Sequence, residues 1–136
     1  MVQLKSAADI DAMRPACRVA ANTLVMIEDF IKPGVTTEKI NTLVHEYTLD
    51  HGGIPAPLNY RGFPKSVCTS LNHVVCHGIP DNKKLKDGDI INVDVTTIID
   101  GWHGDTSRTF YVGKPKVRAE KVTEVARQAL QIGIDV

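Results

Sequence analysis

The feature that most constrains this chain is a stretch of period-two alternation from Ile90 to Val112, interrupted once at Asp100-Gly101. Asp-Gly between alternating runs signals a two-residue hairpin turn. Closing the turn there pairs Ile99 with Trp102, Ile98 with His103, Thr97 with Gly104 and Thr96 with Asp105. Side chains alternate across a strand, so Asn92, Asp94, Thr96 and Ile98 share one face with His103, Asp105, Ser107 and Thr109. Ile91, Val93, Val95, Ile99, Trp102 and Phe110 take the other face. One side must cover a core. The other carries two carboxylates.

Asp94 and Asp105 are diagonal neighbours on the polar face, at roughly 7–8 Å between backbones. Two readings of that face are open. In the plain one it is simply the solvent side of a half-buried hairpin. In the other, two like charges pointed together call for a cation between them. A divalent metal pair about 3.5–4 Å apart suits carboxylates from adjoining strands, and strands hold ligands more rigidly than loops. Asp is disfavoured within strands, which weighs against the plain reading. Spacing alone does not choose.

The remainder of the chain supplies the cover. Helical periodicity runs from Ser6 to Ile31 through Ile10, Met13, Cys17, Val19, Ala20, Leu24, Ile27, Phe30 and Ile31, with Ser6 and Asp9 placed as a capping box. Pro15 predicts a late start or a kink. Thr36 or Thr37 caps a second helix carrying Ile40, Leu43, Val44 and Tyr47, which Gly52-Gly53 ends. Residues 54–65 hold three prolines and a glycine and read as loop or edge strand. Val67 to Leu71 and Val74 to Gly78 read as short strands, Asp81 to Gly88 as a polar turn, and Val117 to Ile134 as a helix. The reading is α+β: an antiparallel sheet with helices packed on one face.

His77, beside Gly78-Ile79-Pro80, can project into a cleft as donor, base or ligand, or can be an ordinary surface histidine. His103 shares the carboxylate face. For His45, His51 and His73 the reading is surface or packing. Cys68 and Cys76 fall in the strand-like runs and read as packed small hydrophobes. Tyr60 and Phe63 flank Arg61-Gly62 and serve either core packing or an apolar pocket.

Composition narrows the class. Lys and Arg number 16, as do Asp and Glu, so no net charge draws the chain to nucleic acid or an anionic membrane. With 43% hydrophobic residues in 136 the chain can bury a real core, which excludes global disorder. No apolar run reaches bilayer length, and the N-terminal residues lack a signal peptide's apolar core. Three cysteines without CxxC spacing fit reduced thiols in the cytoplasm.

Three ordered segments carry a resemblance: Asn59 to Cys68 (NYRGFPKSVC), Asn72 to Pro80 (NHVVCHGIP), and Lys86 to Thr96 (KDGDIINVDVT) continuing to Gly101 to Ser107 (GWHGDTS). Together they resemble the type I methionine aminopeptidases, metallopeptidases of the pita-bread fold. The resemblance implies that residues 1–136 form the N-terminal part of one catalytic domain, the N-terminal half of the fold. It implies a centre of two divalent metal ions (Co, Mn, Fe or Zn), with Asp94 chelating one and Asp105 bridging both. His77 matches a histidine that contacts substrate near the scissile bond and stabilises the tetrahedral intermediate. Tyr60, Phe63 and Cys68 match the pocket for the substrate's methionine side chain. Asn72 and Val74 match positions whose backbone carbonyls hold a monovalent cation in some members. Pro57 stands where some relatives have a cysteine. The implied substrate is a nascent polypeptide beginning with Met, cut near the ribosome. Lys83, Lys84 and Lys86 offer a contact patch there or merely a solvated turn. Neither nucleic-acid reading nor membrane attachment is implied.

The same resemblance calls for one more histidine and two glutamates. After Asp105 the acidic residues are Glu120, Glu124 and Asp135, and no histidine follows His103. Glu120 and Glu124 read as the solvent face of a helix. The expectation is an N-terminal half with half a metal site, inactive alone, whose uncovered apolar face favours association. An Xaa-Pro-type peptidase of the same fold and an inert binding fragment are the competing readings, and His77-Gly78-Ile79-Pro80 argues against the first.

Overall fold

The computed structural model describes residues 2–136. Helix α1 spans Ala7–Glu28 and opens on the predicted box: the Asp9 N–H donates to Ser6 Oγ (3.2 Å) and the Ser6 N–H to Asp9 Oδ2 (2.8 Å). The late start expected from Pro15 does not occur. Pro15 and Asp11 are both exposed, so the carbonyl that Pro15 leaves without a donor lies on the solvent side of the helix and is not sealed in the core. The buried stripe is Ala16, Ala20, Thr23, Leu24 and Ile27. Ile10, Cys17 and Phe30 face outward instead.

Helix α2 spans Thr37–Asp50, with Thr36 Oγ1 accepting from the Lys39 N–H at 3.1 Å. It buries Ile40, Val44 and Thr48 and stops just before Gly52-Gly53. Strand β1 is only Ile54–Pro55, followed by a 3-10 turn at Tyr60–Gly62. Strand β2 spans Cys68–Leu71, β3 Ile90–Ile99 and β4 Trp102–Tyr111. All pairings are antiparallel: β4 lies along one side of β3, while β2 and β1 share the other, β2 against Ile91–Asp94 and β1 against Thr97–Ile98.

The hairpin register is the one the turn dictates, from Ile99 opposite Trp102 through Thr96 opposite Asp105. Asp100 and Gly101 both have positive φ (50° and 81°), the conformation whose twist matches the flanking strands. Along β3, Ile91, Val93, Val95 and Thr97 are buried, alternating with half-buried neighbours. That face meets α1 and α2 in a core with Leu24, Ile27, Ile40, Val44 and Phe110. Gly104 lets α1 lie close on the sheet: a Cβ there would overlap the backbone of Ala16 and Cys17. Arg108 clamps the end of α1 with two bonds to Glu28, at 2.8 and 3.0 Å.

Two further expectations fail. Val74 to Gly78 is not a strand; it is an irregular strap after β2, and Cys76 on it is exposed rather than packed. The predicted polar turn also contains core, because Leu85 is buried. Its N–H donates to the Val35 carbonyl and its own carbonyl accepts from Gly34, both at 2.8 Å, tying the segment to the entrance of α2. The lysines around it, Lys83, Lys84 and Lys86, are exposed.

Helix α3, Val117–Ile134, forms as predicted but buries no residue. Val122, Val125, Leu130 and Ile132 are all more than half exposed. Among the described residues no helix is long and apolar enough to cross a membrane.

Candidate active site

With both helices α1 and α2 on one side of the sheet, its other side is free to form a site. Asp94 stands mid-β3, opposite Cys68 on β2 and Ser107 on β4. Asp105 on β4, opposite Thr96, shares that face. The chain from β1 to β2 walls one side and the strap after β2 another. Between them lies a cavity of about 880 Å³, within the range of small-molecule sites.

The cavity brings together Tyr60, Phe63, Cys68, His77, Asp94 and Asp105. Pro57 and His103 also line it. Alternation already placed His103 on this face. The same alternation placed Thr96 and Ile98 on the carboxylate face of β3, and both are in the lining. Ala56 and Ile79 carried no such signal, because irregular backbone rather than periodicity brings them in.

Burial, then the charge of Asp105, raises the Asp94 carboxyl above its ordinary range, and His77 partly opposes the rise. The charge of Asp105 on the same wall therefore disfavours that of Asp94, the circumstance a bound cation relieves. Cys68 is buried, and that burial, with Asp94 next in weight, pushes its thiol up to about 11. At neutral pH it is an uncharged wall rather than a nucleophile. Tyr60 is 65% exposed and carries the Arg61 guanidinium 5.5 Å from its ring centre. The polar floor and apolar rim suit a ligand with a cationic or carbonyl head and an apolar side chain.

The donor set answers only part of what a metal centre needs. Oxygen donors from two rigid strands fit a hard or borderline divalent ion. Among the described residues, however, no group of three or more His, Cys, Asp or Glu side chains is arranged to hold one. Glu124 does not contribute: its carboxylate is taken by Arg127 and Gln128 on α3.

Asn72 and Val74 lie in the turn leaving β2 and are not in the cavity lining. Asn72 has positive φ (53°) and its amide side chain bridges Asp89 and the Ile90 N–H. The three remaining histidines are apart from the cavity. His45 bonds Ser66 Oγ (2.8 Å), His51 stacks on Tyr47, and His73 is exposed.

Comparison with known proteins agrees with this geometry. The pattern of metallopeptidase family M24 matches residues 11–136. A methionine aminopeptidase of Rickettsia prowazekii is 52% identical over 135 residues, 99% of this chain but 52% of that protein. The crystal structure of methionine aminopeptidase from Rickettsia prowazekii superimposes with a TM-score of 0.95 over 96% of this chain and 53% of its own. That from Thermotoga maritima, 33% identical, gives 0.92 over 96% and 53%. The open antiparallel sheet with helices on one face is the pita-bread arrangement of those structures. The chain spans about half the length of these relatives.

Proposed function

We propose a function from one premise: the chain belongs to metallopeptidase family M24, whose pattern covers all but its first ten residues. Residues 1–136 are the N-terminal part of a methionine aminopeptidase domain, supplying the substrate pocket and two carboxylate ligands. On its own this chain binds but does not hydrolyse. One observation carries the reading: Asp94, Asp105, His77, Tyr60, Phe63 and Cys68 line a single cavity, while no group of three or more His, Cys, Asp or Glu side chains among the described residues is arranged to hold a metal ion.

Asp94 and Asp105 would hold divalent ions (Co, Mn, Fe or Zn), which supply Lewis acidity for carbonyl polarisation and water activation when a full ligand set is present. No step of hydrolysis can be assigned to this chain alone. Its own residues bind and orient. The apolar wall of Tyr60, Phe63 and Cys68 receives a methionine side chain and excludes water from it. Without metal, the carboxylates attract the substrate's α-ammonium group. His77 faces the reacting carbonyl, where an imidazole N–H can hydrogen-bond developing negative charge. Asn72 and Val74 would hold a monovalent cation outside this cavity through their carbonyls. The substrate is a nascent polypeptide with N-terminal Met, in the cytoplasm and near the ribosome. The 52% identity to a methionine aminopeptidase supports that branch over the Xaa-Pro one, as does His77-Gly78-Ile79-Pro80.

The test is an assay of the purified chain on Met-Ala-Ser across a range of Mn²⁺ and Co²⁺ concentrations, with methioninamide binding followed by NMR. The expected result is no turnover, with methioninamide shifting Tyr60, Phe63 and His77 signals. Metal-dependent turnover that vanishes in Asp105→Ala would overturn the inactive reading. Methioninamide shifts away from the cavity would overturn the pocket.

A further inference from the structure

His77 lines the cavity with the two carboxylates, in backbone geometry that a free loop would not keep. Its φ is +54°, a left-handed conformation costly for any residue with a Cβ. It is also exposed, as are His73 to Cys76 before it, so little burial holds that stretch of the strap in place. A turn bond from the Val74 N–H to the Leu71 carbonyl (3.1 Å) holds its start, and what fastens it beside His77 lies one residue on. The Gly78 N–H donates to Ser70 Oγ at 3.2 Å, and the Gly78 carbonyl accepts from the Thr69 N–H at 2.8 Å.

Ser70 shares the cavity face of the sheet, since it lies opposite Asn92 as Cys68 lies opposite Asp94. It is only 4% exposed, so its hydroxyl is sealed beneath the strap instead of solvated. Gly78 packs so tightly over β2 that a Cβ would overlap the Thr69 carbonyl. The contact therefore demands glycine for space, and it leaves the Ser70 hydroxyl as the side-chain partner of the Gly78 amide.

We infer that Ser70 is a positioning residue, a latch that grips Gly78 and thereby fixes the His77 imidazole in the cavity that Asp94 and Asp105 line. The inference rests on the reading of His77 as the group that meets substrate. Without the hydroxyl, the Gly78 amide loses a buried acceptor, one of the two clamps opens, and His77 relaxes out of the left-handed region.

The experiment is NMR on the 136-residue chain, comparing wild type, Ser70→Ala, Ser70→Thr and Gly78→Ala. Ser70→Ala should speed Gly78 amide exchange about tenfold, the scale of one net hydrogen bond. It should also move the His77 ring signals toward those of exposed His73. Amides of Val93 and Val95 in the core should keep their rates, which separates a latch from general loosening. Ser70→Thr keeps the hydroxyl and should restore both readouts, whereas Gly78→Ala should displace His77 further. Unchanged Gly78 exchange and unchanged His77 signals in Ser70→Ala would overturn the proposal. Should that variant not fold, wild-type exchange decides: protection of Gly78 at least tenfold above exposed Val75 supports the latch, and equal rates overturn it. Methioninamide titrated onto wild type separates the two claims. Silence of His77 there sinks its substrate role, while the latch is judged on exchange and ring signals alone.

Discussion

Asp105 stands one diagonal step from Asp94 across the β3–β4 ladder, Asp94 facing Ser107 and Asp105 facing Thr96. The carboxylates sit on rigid strands and cannot both turn away without breaking the alternation that buries Val93 and Val95 behind them. Their mutual repulsion is thus built into the hairpin, and its consequences can be measured.

The first concerns stability without metal. Asp94 titrates above its ordinary value in the folded chain, through burial and then through Asp105. The folded state therefore binds more protons than the unfolded one in the window just above the ordinary carboxyl range. By linkage, this group's contribution to stability falls as pH rises through that window. Asp105→Asn should stabilise the chain at pH 7 in EDTA by a few tenths to about 1 kcal/mol, the scale of a cross-strand charge pair. The gain should shrink as the pH is lowered and Asp94 is protonated. Thermal melts of both proteins from pH 4 to 7 check this, and a destabilised Asp105→Asn would contradict it.

The second concerns the seam between sheet and helix. Gly104 meets the backbone of Ala16 and Cys17, leaving no flexible side chain to give way. Gly104→Ala should cost roughly 1–3 kcal/mol or more, as overpacking does. Urea unfolding monitored by circular dichroism measures it. A loss under about 0.5 kcal/mol, typical of surface sites, would mean α1 is not seated as described.

Much of this was legible because one short signal fixed a great deal. Asp100-Gly101 sets the turn, the turn sets the register, and the register puts Asp94 and Asp105 on one face. The capping box of Ser6 and Asp9 was similarly local. What escaped depended on tertiary contact. Val74 to Gly78 has strand-like composition, yet Gly78 is bonded to Thr69 and Ser70 instead of extending a ladder. Leu85 sits in a run of charged residues and is buried only because Gly34 and Val35 hold its backbone. Ala56 and Ile79 enter the cavity through loops whose path no periodicity encodes. For the site residues the motif resemblance named positions and roles. The structure gathers six of them at the cavity and leaves Asn72 and Val74 outside its lining.

Thiol chemistry supplies a third prediction. Cys17 and Cys76 are exposed and Cys68 is buried, with its thiol pushed up to about 11. At pH 8 only about one Cys68 in a thousand would be thiolate. Iodoacetamide followed by peptide mass spectrometry should therefore label Cys17 and Cys76 well before Cys68. Equal labelling of Cys68 in the folded chain would contradict its burial against the cavity wall.

Helix α3 supplies a fourth. Hydrogen bonds from Arg127 and then Gln128 hold the Glu124 carboxyl down to about 2. A lowered carboxyl stabilises above its ordinary value and loses that effect as pH falls. Helical Cα shifts around residues 122–129 should weaken between about pH 4.5 and 2. Because α3 buries no residue, Val125→Lys should leave global stability within about 0.5 kcal/mol of wild type. A larger loss would place α3 against the core after all.

The most direct test of the central claim, that Asp94 and Asp105 share a cation, is paramagnetic broadening by substoichiometric Mn²⁺ in the NMR spectrum of this chain. The account predicts selective loss of signals from Asp94, Asp105 and their cavity neighbours Thr96 and His77, abolished in Asp94→Asn and in Asp105→Asn. Broadening that ignores the cavity, or that persists in both variants, would contradict it.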